Sequence, residues 1–158
     1  VIFMESELMY GDKGQVPEEE YLIPICKSKI VHEGNDVTLV SFGKMMKVAE
    51  ETYLAAQKEG INIEVIDLRS VRPIDFESIV NSVKKTNRLV IIEEAWPLAS
   101  ISSEISHHIQ RFAFDYLDAP VHRITCEDVP FHYAPTLIKE ITPNVEKGLK
   151  AVKSVMYR

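Results

Sequence analysis

Two adjacent carboxylates, Glu93 and Glu94, follow the apolar run Leu89 to Ile92 and are the first residues in this chain to suggest chemistry. Paired acids serve general acid and base work, and open α/β sheets place ligand crevices at the carboxyl ends of their strands. Successive strand residues point to opposite faces, however, so these two neighbours cannot easily share one substrate atom. A loop cap or a contact with a helix N-terminus is the competing reading. His107 and His108 are adjacent too, about 100 degrees apart around a helix, whereas chelating pairs need the three- or four-residue spacing that shares a face. His122 and His132 stand alone, and no nearby cysteine or carboxylate arrangement spells a zinc site.

Other candidates are weaker. The turn Ser41 to Lys44 (SFGK) joins a strand to a helix but lacks the spacing of either glycine-rich phosphate loop. Arg69 and Arg72 flank a strand end and could hold an anion, yet pairing with Asp67 or Asp75 is the simpler expectation. Cys126 has no activating base beside it, and Glu127 and Asp128 disfavour a thiolate. Trp96-Pro97 reads equally well as an interface anchor or as part of the domain's own packing. The residues alone therefore define no convincing active site.

The elements that position these groups are more legible. Residues 1–5 read as a buried strand, an abrupt start that suggests the cut end of a longer protein. Residues 1–20 are read as the tail of a preceding domain plus a linker, and residues 21–158 as the domain proper. Pro24 assigns the segment Tyr21 to Ile25 an edge position. Strands are expected at Lys29 to His32, Val37 to Phe42, Ile61 to Asp67, Arg88 to Glu93 and Val121 to Thr125, with Arg88 to Glu93 central. Between them lie helices: one carrying Met45, Val48, Ala49, Thr52 and Ala56 on its inner face, one capped by Asp75 with an Ile74–Ile79 staple, and one starting near Ser100. The third sets Ile101, Ile105, His108, Ile109 and Phe112 at helical spacing, and a last helix capped by Thr142 carries Val145, Leu149, Val152 and Met156. Strands alternating with helices predict an α/β fold in three α/β/α layers around a mostly parallel sheet.

Composition sets the bounds. A chain of 158 residues with 46% hydrophobic and 27% charged residues suits one globular domain. A net charge of -6 without a basic patch argues against nucleic acid. The two cysteines, Cys26 and Cys126, form no disulfide framework.

Several words occur in one order: Glu7–Gly11 (ELMYG), Leu22–Ile25 (LIPI), Glu64–Asp75 (EVIDLRSVRPID), Lys85–Pro97 (KTNRLVIIEEAWP), Leu117–Pro120 (LDAP), Asp128–Pro130 (DVP) and Tyr133-Ala134. Together they resemble the beta subunits of pyruvate dehydrogenase, thiamine-dependent components of 2-oxoacid dehydrogenase complexes, over essentially the whole chain. Ala95, Ser100 and Cys126 depart from the pattern, standing where glycine is common. The resemblance implies a transketolase C-terminal-like domain of five strands, the first of them, near Ser28 to Glu33, antiparallel at the edge. It implies thiamine diphosphate and magnesium in the parent enzyme, held by parts outside this chain, so no catalytic, cofactor-binding or metal residue is carried over. It also implies partners: the alpha subunit, a second beta subunit and the peripheral subunit-binding domain of the dihydrolipoyl acyltransferase. The contacts implied for that last partner are Asp118 and the chain-terminal carboxylate on Arg158. The location expected is a bacterial cytoplasm, with the mitochondrial matrix or a plastid as alternatives. Two other readings stand beside it: the same domain of a branched-chain or acetoin dehydrogenase, and a free-standing small-ligand module with a crevice near Gly43, Arg69 and Glu93.

Overall fold

A computed structural model describes residues 1–158. Its five strands are β1 (Lys29–His32), β2 (Val37–Ser41), β3 (Ile63–Asp67), β4 (Leu89–Ile92) and β5 (His122–Ile124). They lie in the order β1-β3-β2-β4-β5. Only β1 runs antiparallel, against β3, while β2, β3, β4 and β5 are mutually parallel. The helices are α1 (Met46–Lys58), α2 (Phe76–Thr86), α3 (Ile101–Phe112), α4 (Pro135–Ile141) and α5 (Val145–Val155).

Period-two alternation divides the strand side chains between two cores. Val37 and Leu39 of β2, Val90 and Ile92 of β4, and Ile124 of β5 join a cluster with Ala49 and Ala56 of α1 and Ala151, Val152 and Val155 of α5. Val40, Leu89 and Ile91 point the other way, to Ile79 and Val83 of α2 and Ile105 and Ile109 of α3. The sheet is thus sandwiched, as expected for α/β/α. β4 is an interior strand with both faces covered, although β2 occupies the middle of the order.

Several polar groups inside the sandwich are paired, although Thr52 Oγ1 and Ser106 Oγ are buried without a partner. Thr38 meets the hydroxyls of Ser82 and Thr86 at 2.6 Å each. Glu64, 1% exposed, pairs with Lys85, which also donates to Glu33 at 3.0 Å. Burial would depress the Lys85 pKa, but these two carboxylates outweigh it and raise it.

The local signals fix most helix ends. Asp75 caps α2 by accepting from the Ser78 N–H, and Ser100 caps α3 through Ser103. Gly60, at φ +73, stops α1. Four expectations need correction. Residues 1–5 form no strand, and Val1, Ile2, Phe3 and Met4 are exposed; hydrophobicity without a partner surface does not make a strand. Tyr21 to Ile25 lies outside the sheet, whose antiparallel edge is β1.

On α3, Phe112 is 55% exposed and the buried line is Ser102, Ile105 and Ile109. The last helix begins at Val145 with Asn144 as its cap, because Thr142 and Pro143 follow a short helix, α4, that sequence periodicity does not reveal. Its buried line is Gly148, Ala151, Val152 and Val155, one position from the expected stripe. Small residues are required there: a Cβ on Gly148 would lie 2.3 Å from Thr52 Oγ1 of α1.

Candidate functional site

The parallel strands give the sheet a carboxyl rim and an amino rim, and the candidate residues divide between them. At the carboxyl rim, β2 leads into α1 on one face while β4 leads to α3 on the other, so the crevice between their ends is the topological switch point. It is closed by contacts within the chain. Ser41 Oγ donates to the Ile92 carbonyl at 2.9 Å across this point. Glu93 is 1% exposed, and its Oε1 accepts from the Ser102 backbone N–H at 3.0 Å and from the Ser102 hydroxyl. Ser102 is the second residue of α3, so this carboxylate satisfies an N–H that the helix leaves free. Glu93 Oε2 is buried without a partner.

Glu94, in the bend just past β4, turns away and accepts from Lys44 Nζ at 2.5 Å. The paired acids are thus separated, and the helix contact is the reading that the geometry bears out for Glu93. Gly43 takes φ +56 at the turn into α1. Arg69 sits 3.8 Å from the Asp67 carboxylate, whose pKa burial raises. Asp75 is held instead by Ser28 and Ser78; burial works against its ionisation, but those bonds prevail and lower its pKa. Burial and the nearby Glu94 raise the Cys126 thiol, which suits an inert cysteine.

His107 and His108 do not converge on one site, and His108 stacks on Phe76 at 3.8 Å between ring centroids. Trp96 is half exposed and donates its indole N–H to the Val129 carbonyl at 3.0 Å. Leu98, in the loop after β4, and Phe131 and Tyr133, in the loop after β5, are exposed as well.

Asp118 lies at the amino rim. Its backbone N–H donates to the Asn87 carbonyl at 2.9 Å, and its own carbonyl accepts from the Tyr157 hydroxyl at 3.0 Å. Its Oδ2 accepts from Arg88 Nη2 at 3.2 Å, while Oδ1 has no partner in the chain. The side chain remains 54% exposed. Arg88 is the hub of this arrangement, since Nε also donates to the Val155 carbonyl at 3.1 Å and Nη1 to the Asp36 carbonyl at 3.3 Å. Through Tyr157 the end of α5, with the exposed Arg158, is brought to Asp118. The resemblance names Asp118 and Arg158 but not Arg88 and Tyr157, which the fold sets beside Asp118. Neither carries a periodic or capping signal, although Arg88 lies within the KTNRLVIIEEAWP word.

A magnesium–diphosphate site needs a cluster of free oxygen ligands. No group of three His, Cys, Asp or Glu side chains is placed to hold a metal, and Glu94 and Asp67 at the carboxyl rim are engaged by Lys44 and Arg69. The residues of this chain do not fit such a group.

Residues 26–147 match the family model described as transketolase, C-terminal domain. The chain is 45% identical over 159 residues to the pyruvate dehydrogenase E1 component subunit beta of Rhizobium meliloti, covering 100% of this chain and 35% of that protein. It is 46% identical over 162 residues to the mitochondrial counterpart of Dictyostelium discoideum, covering 100% of this chain and 46% of that protein. It thus spans less than half the length of these relatives. Among solved structures, a split-gene transketolase in an inactive beta4 tetramer superposes with a TM-score of 0.77 at 24% identity, covering 91% of this chain and 46% of that one. A 2-oxoglutarate:ferredoxin oxidoreductase from Magnetococcus marinus does so at 0.55 and 13%, covering 82% of this chain and 19% of that one. At these identities the two structures speak for the fold alone.

Proposed function

The chain belongs to the transketolase C-terminal domain family, and from that premise we propose that it is the C-terminal assembly domain of a pyruvate dehydrogenase beta subunit. The parent enzyme is read as decarboxylating pyruvate and reductively acetylating a lipoyl group with thiamine diphosphate and magnesium. This domain stands outside that chemistry. Its work is to pair with a second beta subunit and an alpha subunit and to receive the peripheral subunit-binding domain of the dihydrolipoyl acyltransferase. Relatives come from bacteria and from mitochondria, so the cytoplasm of a bacterium and the mitochondrial matrix are both compatible with this role.

One observation carries the docking reading: Asp118 is held at three polar atoms and presents a fourth, Oδ1, to solvent. A carboxylate fixed in this way loses little conformational freedom when a lysine or arginine of a partner pairs with it. A carboxylate at the chain terminus, where Arg158 is the native end, supplies a second anion at the same rim. The exposed Trp96, Leu98, Phe131 and Tyr133 at the opposite rim support a surface covered by sister subunits. The carboxyl-rim crevice gives less support to a small-ligand module, because its Glu93, Glu94 and Arg69 are engaged within the chain.

The test uses the full-length enzyme and measures binding of the acyltransferase's subunit-binding domain by calorimetry. Asp118→Ala is expected to weaken binding about tenfold or more, and the wild-type affinity to fall with salt. An affinity indifferent to both would overturn the docking assignment.

A further inference from the structure

The end of α5 is built in an uncommon way. The Arg158 N–H donates to the Lys153 carbonyl at 3.0 Å and the Tyr157 N–H to the Ser154 carbonyl at 3.1 Å, the paired bonds of a Schellman motif. The left-handed position in that motif belongs to Tyr157, at φ +57, where glycine is the usual residue because a Cβ is disfavoured there. The tyrosine is not retained for core packing: it is 74% exposed and belongs to neither hydrophobic cluster. Its one polar side-chain contact is the 3.0 Å bond from its hydroxyl to the Asp118 carbonyl.

We propose that Tyr157 is a positioning residue for Asp118, its strained backbone aiming the phenol so that the loop Leu117–Pro120 holds the free carboxylate oxygen in register. The proposal rests on the docking reading of Asp118. Asn87 and Arg88 hold Asp118 from the β4 side, through the N–H and Oδ2. Tyr157 holds it from the α5 side, through the carbonyl. Arg88 ties the two sides together through its bond to Val155, two residues before Tyr157. Without the phenol, the Asp118 carbonyl faces solvent and the loop is held from one side only.

The experiment is a double-mutant cycle in the full-length enzyme, read as affinity for the acyltransferase's subunit-binding domain together with Tm. Tyr157→Phe removes only the hydroxyl and is expected to weaken binding about three- to tenfold, in line with the loss of one hydrogen bond. In an Asp118→Ala background the same change is expected to cost nothing further, because the group it positions is gone. Tyr157→Gly relieves the left-handed strain, so Tm is expected to hold or rise while affinity falls as for Phe. A purely structural phenol would instead lower Tm and leave affinity intact, and that result overturns the proposal. Additive losses in the double mutant overturn it as well. If Asp118→Ala leaves affinity unchanged, the docking reading itself fails; if Asp118→Ala weakens binding and Tyr157→Phe does not, only the positioning role fails.

Discussion

The two rims of the sheet treat their carboxylates differently. At the carboxyl rim, where folds of this class usually bind ligands, Glu93 is turned inward onto the start of α3 and Glu94 is paired with Lys44. At the amino rim Asp118 is also held by the chain, but its bonds use the backbone and one oxygen, leaving the other oxygen in solvent. Both rims spend acids on internal hydrogen bonds, but Glu93 is sealed from solvent whereas Asp118 is not. Burial makes the difference: Glu93 is 1% exposed, whereas the Asp118 side chain is 54% exposed. A familiar crevice position can thus serve the fold, while the docking proposed for Asp118 would use the opposite end.

Three perturbations test this contrast. The largest effect is expected from Glu93→Ala, which strips the Ser102 N–H and hydroxyl of their shared acceptor and should destabilise the chain by about 2 kcal/mol in denaturant unfolding. An unchanged midpoint would mean that the carboxyl rim is not structural at this residue. Arg88→Ala should cost about 1.5 kcal/mol, since the Val155 and Asp36 carbonyls lose a donor, and should also weaken docking through Asp118. Stability lost with affinity retained would separate the hub from the docking surface.

The smallest effect is with pH. Burial lowers the pKa of His108, against the pull of Glu104 and with the help of His107 and Arg111, and burial alone lowers that of His122. Each binds fewer protons folded than unfolded, so its contribution is complete above the unfolded value of about 6.5 and is lost as pH falls through the folded value. Melting temperatures should decline from pH 7.5 to 5.5, and a His108→Gln, His122→Gln variant should flatten that decline.

Much of the scaffold is legible from local patterns. Apolar residues mark the interior strands β2, β3 and β4 most clearly, and Asp75, Ser100 and Gly60 mark helix ends because capping and left-handed turns are decided within a few residues. The pattern misleads where a local signal has two explanations. Thr142-Pro143 looks like a helix start, yet Thr142 closes α4 and Asn144 opens α5. Val1 to Met4 look like a strand, but no neighbouring strand pairs with them. The candidate site is legible in part: resemblance points to Asp118 and Arg158, whereas Arg88 and Tyr157 appear only once the chain is folded.

Periodicity along a few residues was enough to set the alternation of strands and helices and the two-faced burial of the sheet. What those side chains meet depends on how the elements pack. Arg88 reaches Val155 and Asp36, and Tyr157 reaches Asp118, across dozens of residues. Such partners are chosen by where packed elements end, not by neighbours in the chain. That is why the hold on Asp118 emerges from the fold and not from the spacing of the acids.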